Sequence, residues 1–342
     1  MDQSPFHLDE ITAQTRAGVH VSGAGVRPFM PDQHRAFFTL LRHVFISVPD
    51  RDGWPIATIL TGPAGFVHAP SPSILRIDGL PRPSDPASSG FSPGNEIGIL
   101  GLDFATRRRN RANGRIATVD RGGFSIEVTQ SFGNCAQYIQ TRTISADGRE
   151  GSEHPGGSEQ NVATDGIDDQ ARRLIGASDT FFVASRSRAE AGHAGGLDVS
   201  HRGGRPGFVR VEHNTLFIPD FKGNRFFNTL GNFLGDNRAG LLFIDFETGD
   251  LLQITGTVSI HWDPAGDWDP AGHGDPAAAA LPTGAQRFWR VAIGRSWWRR
   301  GAIPFVWNFG DYAPTTLMTG VWDDRRPVTP SIVEKSAILP PR

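Results

Sequence analysis

An internal repeat restricts how this chain folds. Residues 62–116 align without a gap on residues 204–258. The coinciding positions are glycines, turn aspartates and apolar strand residues: Gly65-Phe66-Val67 on Gly207-Phe208-Val209, Asp78 on Asp220, Gly98-Ile99-Leu100 on Gly240-Leu241-Leu242, Asp103-Phe104 on Asp245-Phe246, and Gly114 on Gly256. Such residues preserve backbone geometry, because glycine permits positive φ or close approach and apolar residues face a core. The sequence therefore predicts two domains of one fold, since the period is too long for a solenoid.

Each half begins with the same local pattern. An amphipathic helix is predicted from Pro31 to Arg42 and again from Asp168 to Ile175, each followed by an apolar strand. The 342 residues include 41 Gly and 25 Pro beside 23 Phe and 8 Trp, which is typical of short, aromatic-rich strands joined by turns. We expect a mainly β fold in which each half is a small antiparallel barrel with a few helices.

The predicted domain boundaries follow from the repeat and from local composition. The ranges are an N-terminal extension 1–30, a first barrel 31–144, a linker 145–166, a second barrel 167–300 and a C-terminal extension 301–342. The linker is predicted because it is polar and Gly-rich. Trp-Asp-Pro-Ala-Gly occurs twice from residue 262 to 272. We interpret it as a series of turns; the alternative is a cation site that includes His261 and His273, and no metal is assigned.

Charge and cysteine content exclude several classes of partner. The chain has 34 Lys and Arg against 36 Asp and Glu, so no net basic field attracts nucleic acid. Its one cysteine, Cys135, excludes an internal disulfide and is interpreted as a structural thiol, which fits a reducing compartment. No apolar run approaches the ~20 residues that span a bilayer, and the N-terminus has no signal-peptide pattern. We expect a cytoplasmic protein without a membrane partner.

The densest polar and glycine-rich segment, residues 218–232, lies between two apolar strands. One interpretation is a phosphate cradle, because anions need convergent donors and positive charge, and the segment offers Asn, Thr, Lys and Arg. The other is a capped turn, with Asn228 or Thr229 at a helix N-cap. The segment alone does not decide between them.

Four segments in a fixed order carry a family resemblance: residues 198–204 (DVSHRGG), the loop 218–232, residues 239–246 (AGLLFIDF) and residues 252–256 (LQITG). Together they resemble the FMN-binding split barrels related to pyridoxamine 5'-phosphate oxidase. The resemblance covers residues 170–260 well and the first half more faintly, through the repeat. It implies two tandem split β-barrels of the FMN-binding type, packed as a pseudo-dimer, with FMN as cofactor and FAD, deazaflavin or haem as alternatives that related barrels host.

The resemblance also implies roles for individual residues of the second half. Ser200 and Arg202 contact the flavin ring or phosphate, and Gln253 approaches the ring from a later strand. Phe217 and Ile218 place backbone groups against the isoalloxazine. The residues expected to hold the phosphate are Asn224, Arg225, Asn228 and Thr229. The chain lacks the oxidase's Arg-Lys pair after Ser in this loop and its pyridoxal-phosphate-binding residues, so vitamin B6 oxidation is not implied.

The first half differs at the equivalent loop. Residues 81–86 (PRPSDP) are proline-rich and poor in donors, so this half is expected to lack the phosphate site. It carries instead an arginine cluster with Arg107, Arg109 and Arg111, which is interpreted either as a solvated face or as an anion or substrate contact. Since split barrels of this family bind FMN at the dimer junction, these arginines are within reach of the other half's flavin.

The sequence thus predicts an FMN-binding oxidoreductase that acts on a small molecule; the alternative is a non-catalytic flavin-binding or carrier protein. No nucleophile elbow, Walker loop, dinucleotide fingerprint or zinc motif is present, which argues against hydrolases and kinases. The chain ends without a reductase module, so electrons are expected from a separate reductase or a diffusible nicotinamide. A homodimer remains open, because the sequence does not reveal exposed interfaces.

Overall fold

The computed structural model describes residues 4–23, 25–145, 163–263 and 281–322. Two large antiparallel sheets dominate it, and each is formed by one half of the chain. Most of the predicted linker 145–166, most of the repeated Trp-Asp-Pro-Ala-Gly segment with His273, and the end of the C-terminal extension lie outside the described residues. No helix in the described ranges is both long and apolar enough to cross a membrane.

The first half forms a seven-stranded sheet. In chain order its strands are β1 (His43–Pro49), β2 (Pro55–Thr61), β3 (Val67–Ser71), β4 (Ile74–Ile77), β5 (Glu96–Asp103), β6 (Arg108–Asp120) and β7 (Gly123–Asn134). They lie side by side in the order β2-β1-β5-β6-β7-β4-β3, and all pairings are antiparallel. Two short strands follow, β8 (Arg142–Ile144) and β9 (Ala163–Asp165).

The second half repeats this topology. Its strands are β10 (Thr180–Arg186), β11 (Leu197–Gly203), β12 (Arg210–Glu212), β13 (Thr215–Phe221), β14 (Arg238–Ile244), β15 (Leu251–His261) and β16 (Ala285–Arg299). Their order is β11-β10-β14-β15-β16-β13-β12, with β9 added beside β16. Strand for strand, this is the order of the first sheet. The predicted duplication and the split-barrel fold are confirmed, with seven strands in each repeated path. A last strand, β17 (Trp307–Phe309), pairs with β8.

Five α-helices lie in the described residues. They are α1 (Leu8–Arg16), α2 (Asp32–Thr39), α3 (Asp169–Ala177), α4 (Asn228–Gly235) and α5 (Pro314–Leu317). Two of them, α2 and α3, occupy equivalent places in the two halves and confirm the two predicted helices. Asp168 caps α3 by accepting a hydrogen bond from the Ala171 N–H. Between its fourth and fifth strands the first half has the 3₁₀ helix Pro86–Gly90, and the second half has α4.

The three largest apolar clusters among the described residues form most of the interior. One fills the first barrel and one fills the second. The third lies between them, and we call it the seam; it combines residues of both halves with Phe305 and Trp307. At its centre the rings of Phe45 and Phe182 stack with centroids 3.5 Å apart. Since Phe45 pairs with Leu100 and Phe182 pairs with the repeat-equivalent Leu242, the two rings are counterparts across a pseudo-twofold axis.

Two equivalent glycines allow this close packing. A Cβ on Gly98 would come within 2.6 Å of the Leu197 carbonyl oxygen, and one on Gly240 would overlap the carbonyl oxygen of Pro55. The barrels therefore approach each other through backbone at both ends of the seam. The halves form a pseudo-dimer, and a cleft opens at one edge of this interface.

Candidate functional site

A cleft of about 330 Å³ opens where the two barrels and the N-terminal segment meet. The N-terminal segment contributes residues 17–19, and the first barrel contributes residues that include Arg109 and Arg111. The second barrel supplies β11, the end of β13, the loop that follows it and the start of α4. Ligand pockets commonly measure roughly 300–1,000 Å³, so the cleft suits a small cofactor or substrate.

Helix α4 presents an uncapped N-terminus to this cleft. Its N-cap residue is Phe227, whose φ of 59° is left-handed and whose side chain makes no cap. The first intrahelical bond runs from the Gly231 N–H to the Phe227 carbonyl. The three N–H groups of residues 228–230 precede it and need other acceptors. The predicted capped turn with Asn228 or Thr229 at the N-cap is therefore wrong: Asn228 is the first helical residue, and the helix end is open.

Side chains from both barrels converge beside this helix end. Across the seam, Arg111 of β6 donates to Asp198 Oδ1 at 2.9 Å and to Asn228 Oδ1 at 3.2 Å. Arg111 also donates to Ser200 Oγ, and Thr229 Oγ1 donates to the same oxygen at 2.9 Å. Because Ser200 Oγ accepts from two groups, its own proton is left to donate to a ligand.

The N-terminal helix supports α4 from outside the barrels. Asn228 Nδ2 donates to Glu10 Oε1 at 2.5 Å, and His7 Nε2 lies 2.9 Å from Asn232 Oδ1. Burial, reinforced by the charge of Asp198, raises the pKa of Glu10 to about 8. Sequence reasoning treated residues 1–30 only as an extension. The spacing of His7 and Glu10, which form a capping box, is the signal that would have revealed helix α1.

A second polar group lines the cleft on the first-barrel side. Arg109 Nε donates to the Cys135 carbonyl at 2.8 Å, and Arg109 Nη1 lies 3.3 Å from His201 Nδ1. Burial and the nearby charges of Arg109, Arg142 and Arg202 lower the pKa of His201 well below its usual value. His201 is therefore neutral near pH 7. The Cys135 thiol donates to Gln137 Oε1 at 3.5 Å, which fits the structural role predicted for it.

The cleft is strongly cationic. Its lining includes the side chains of Arg109, Arg111, Arg202, Lys222, Arg225 and Arg287, against the single carboxylate of Asp220. Asp220 accepts hydrogen bonds from Arg202 at 3.0 Å and from Arg287 at 3.1 Å, so its charge is already shared by two cations. Such a surface favours an anionic ligand.

Backbone strain is concentrated at the same place. Among the described residues, five non-glycine residues have positive φ, and three of them line the cleft: Tyr138, Arg225 and Phe227. A left-handed conformation is unfavourable for such side chains and persists where the surrounding structure enforces it, which is common at ligand sites.

A hydrogen bond connects the first barrel to the loop 218–232. The Tyr138 hydroxyl donates to the Lys222 carbonyl at 3.0 Å.

The structure brings eight of the twelve predicted contact residues into the cleft lining: Ser200, Arg202, Asn224, Arg225, Asn228, Thr229, Arg109 and Arg111. The other four lie elsewhere. Arg107 donates to the carbonyls of Ile139 and Asp311. Phe217 and Ile218 have ladder partners in β16, and Ile218 is buried in the barrel core. Gln253 is buried at the opposite end of the seam.

That opposite end holds the pseudo-equivalent junction, and it is filled by protein. In the repeat alignment, Thr58 of the first half corresponds to Ser200 of the second, and Arg111 of the first half corresponds to Gln253 of the second. Both Thr58 and Gln253 donate to the Asp85 carboxylate, at 2.5 and 3.1 Å, and so do Arg299 at 2.6 Å and the Ala87 N–H at 2.9 Å. A buried carboxylate thus satisfies a hydroxyl, a cation and a helix N-terminus in the first half. In the second half the corresponding donors face the open cleft.

No group of three or more His, Cys, Asp or Glu side chains within the described residues is arranged to hold a metal ion. The donors of the cleft are N–H and O–H groups, which suit oxyanions better than cations.

No protein-family model matches the chain, and no curated protein matches it significantly. Solved structures do match. A Clostridium acetobutylicum protein related to general stress protein 26, of the pyridoxinephosphate oxidase family, is 14% identical, with 42% of this chain and 96% of that chain covered and a TM-score of 0.25. A FAD-binding protein from Mesorhizobium loti is 11% identical, with 40% and 97% covered and a TM-score of 0.26. The haem storage protein HutZ from Vibrio cholerae is 12% identical, with 42% and 97% covered and a TM-score of 0.24.

Proposed function

We propose that this chain binds FMN in the cleft at the seam, with the phosphate at the N-terminus of α4, and uses it in the oxidoreduction of a small molecule. The observation that carries the proposal is the open helix end, where uncapped N–H groups, the Ser200 hydroxyl and Arg111 converge in a cationic cleft. Phosphate groups bind at helix N-termini because N–H donors and the helix dipole both favour negative charge.

The contrast between the two junctions supports a single site per chain. In the first half Asp85 already supplies the negative charge that the donors require. In the second half Asp198 accepts from Arg111 and Asn113, but Ser200, Thr229 and the N–H groups at the start of α4 contact no carboxylate among the described residues.

The chain's own residues position the ligand. Arg111 is fixed by Asp198 and Asn228, so its guanidinium needs little further ordering when it meets a phosphate. Residues 17–19 line the cleft from the N-terminal side. Bound flavin would supply the electron transfer, while the protein sets orientation and solvent access. Vitamin B6 oxidation is not part of the proposal, and FAD, deazaflavin and haem remain the alternatives to test.

Comparing FMN with riboflavin isolates the contribution of the phosphate. We expect flavin-fluorescence titration to show FMN binding at least about tenfold more tightly than riboflavin, because a charge-assisted hydrogen bond contributes roughly 1.5–3 kcal/mol. The Arg225→Ala variant should weaken FMN binding about tenfold and leave riboflavin unchanged. Arg121→Ala removes an exposed arginine outside the cleft and is the matched control. Equal affinities for FMN and riboflavin would refute a phosphate site.

A second experiment separates an enzyme from a carrier. The FMN-loaded protein is mixed with NADH or NADPH without oxygen, and the flavin absorbance is followed. Bleaching supports an oxidoreductase that accepts electrons from a nicotinamide. If neither nucleotide bleaches the flavin while dithionite does, the carrier interpretation or a dedicated reductase is favoured.

A further inference from the structure

Helix α1 packs closely against α4, next to the candidate phosphate site. A Cβ on Gly231 would come within 2.6 Å of the Glu10 Cα, so α4 leaves no room for a side chain at this position. Asp9 forms a bidentate pair with Arg188, which follows β10, and both N···O distances are 2.6 Å. The N-terminal segment is therefore fixed to the second barrel, although it precedes the first barrel in the chain.

Two side chains of α1 hold the residues on either side of Phe227. Gln14 Nε2 donates to the Phe226 carbonyl at 3.1 Å, immediately before the left-handed residue. Glu10 Oε1 accepts from Asn228 Nδ2 at 2.5 Å, immediately after it. A φ of 59° is unfavourable for a phenylalanine and needs support from the surrounding structure. These two hydrogen bonds supply such support, and the left-handed residue keeps the end of α4 open.

The contact with Glu10 also sets the orientation of Asn228. A guanidinium only donates hydrogen bonds, so the Asn228 amide turns its oxygen to Arg111, at 3.2 Å, and its NH2 group to Glu10. Arg111 in turn donates to the Ser200 hydroxyl. A chain of hydrogen bonds thus runs from Glu10 through Asn228 and Arg111 to the proposed phosphate position.

Glu10 is buried among charged groups that come from several elements. They are His7 and Asp9 of α1, Arg188 after β10, Asp198 of β11 and Arg111 of β6, while α4 contributes no charged side chain. Burial and the charge of Asp198 raise the pKa of Glu10 to about 8, and burial lowers the pKa of His7. Glu10 is therefore expected to change its charge just above neutral pH, where His7 stays neutral.

We propose that Glu10 and Gln14 are positioning residues for the cofactor phosphate: they hold the N-terminus of α4 open, and ionisation of Glu10 weakens phosphate binding there. This inference rests on the proposed flavin function and extends it, because it makes the N-terminal segment part of the cofactor site. A Glu10 carboxylate and a phosphate on opposite sides of Asn228 repel each other. The neutral acid avoids this repulsion, so a proton on Glu10 and a bound phosphate favour each other.

The test of Glu10 measures the ratio of FMN affinity to riboflavin affinity in the full chain between pH 7 and pH 9.5. The two ligands share the isoalloxazine ring, so the ratio cancels any ionisation of that ring and reports on the phosphate. A phosphate monoester stays dianionic over this range, because its second pKa is about 6. In the wild type we expect the ratio to fall at least about fivefold as pH rises. Glu10→Gln cannot ionise, so its ratio should stay constant within about twofold.

Gln14→Leu tests the second positioning contact. It keeps the approximate size of the side chain and removes the donor to the Phe226 carbonyl. We expect it to lower the FMN to riboflavin ratio about three- to tenfold at pH 7 and to leave riboflavin affinity within about twofold. The control is Thr15→Ala on the exposed side of α1, where Thr15 Oγ1 donates to the Ile11 carbonyl of the same helix. It should match the wild type in both the ratio and its pH profile.

Two results would overturn the proposal. If the wild-type ratio falls with pH no more than that of Glu10→Gln, Glu10 has no influence on the phosphate, because a purely structural contact affects stability and not this profile. If Gln14→Leu leaves the ratio unchanged, or weakens FMN and riboflavin equally, Gln14 does not position the phosphate donors.

Failure of the flavin proposal gives a different result. If FMN and riboflavin bind equally at pH 7, or neither binds, the same variants are titrated calorimetrically with sulfate, whose charge is constant over this pH range. Sulfate binding that weakens with pH in the wild type but not in Glu10→Gln supports the positioning role without a flavin. Absence of sulfate binding, or the same pH response in both proteins, overturns that role as well.

Discussion

At the scale of single residues, the Asp85 carboxylate occupies the junction that is pseudo-equivalent to the cleft. It lies where, in the cleft, the ligand phosphate is proposed to bind. Its carboxylate is fully buried and accepts from Arg299, Thr58, Gln253 and the Ala87 N–H. Removing it leaves the guanidinium of Arg299 buried without a charged partner. Such a loss typically costs about 3–5 kcal/mol, although the intact pair contributes little net stability relative to an apolar pair.

We therefore expect Asp85→Ala to lower the free energy of unfolding by about 3–5 kcal/mol in chloride, measured by urea denaturation. Inorganic phosphate at the same ionic strength should restore part of this loss, because the vacated donors match an oxyanion. Asp120→Ala breaks the exposed pair with Arg76 and is the control; it should cost little stability, and phosphate should leave its difference from wild type unchanged. Asp85→Ala that is as stable as wild type, or equally unstable in both salts, argues against the equivalence.

Individual site residues differ in how far the sequence alone predicts where they lie. The loop composition predicted hydrogen-bond donors, and the family resemblance assigned the phosphate to Asn224, Arg225, Asn228 and Thr229. Gln253 was expected at the flavin, yet the structure places it at the other end of the seam. Its position in the repeat is that of Arg111, so the two halves exchange these residues between opposite junctions. This exchange follows from the pseudo-twofold axis between the two barrels. The spacing of residues along the sequence does not reveal that axis.

At the scale of elements, helix α1 links the N-terminus to the candidate phosphate site. Glu10 is buried against α4 and accepts from Asn228 Nδ2. Its pKa in the folded chain is about 8, against 4.5 for an unperturbed glutamate. Between these values the folded state holds a proton that the unfolded chain has released. The contribution of Glu10 to stability is therefore complete below about pH 4.5 and is lost as pH rises through 8.

The expected slope from this group is a fall of about 1.4 kcal/mol per pH unit in the free energy of unfolding, between pH 4.5 and 8. Glu10→Gln cannot ionise and keeps an oxygen for Asn228, so its unfolding free energy should vary less steeply with pH and exceed that of wild type at pH 8.5. Urea unfolding at a series of pH values measures this. Asp32→Asn, at an exposed position, should follow the wild type. A Glu10→Gln slope equal to that of wild type contradicts the assignment.

Local sequence patterns identified α2, α3 and the β-strands, because periodicity and turn residues report local geometry. One of the two interpretations of the loop, a capped turn with Asn228 or Thr229 at the N-cap, is wrong for a tertiary reason: Phe227 is held in a left-handed conformation, which places the helix start at Asn228 and leaves its end open. The boundaries of the cleft depend on α1, which reaches α4 across more than 200 positions of the chain. Contacts of that separation leave no trace in local composition.

At the scale of the whole molecule, the seam determines whether the cleft exists. Gly240 lies where the second barrel meets the backbone of Pro55, and a Cβ there would overlap the Pro55 carbonyl oxygen. Gly240→Ala should therefore shift the barrels apart, lower stability by about 1–3 kcal/mol and weaken FMN binding although the residue is not in the cleft lining. Calorimetric melting and FMN titration measure the two effects.

Gly176→Ala is the matched control. Gly176 lies in α3, and a Cβ there would meet no atom within 4 Å. Since Ala is the better helix former, this variant should be as stable as wild type or up to about 1 kcal/mol more stable, with FMN binding unchanged. If Gly240→Ala behaves like Gly176→Ala, close contact at the seam is not needed for the cleft.

The most direct test is a crystal structure of the chain grown with FMN. The phosphate should lie within hydrogen-bond distance of the Thr229 N–H and the Ser200 hydroxyl, with one FMN per chain and Asp85 still bound to Arg299. Phosphate at the first-half junction beside Arg299, or FMN outside the cleft, would contradict the proposed site.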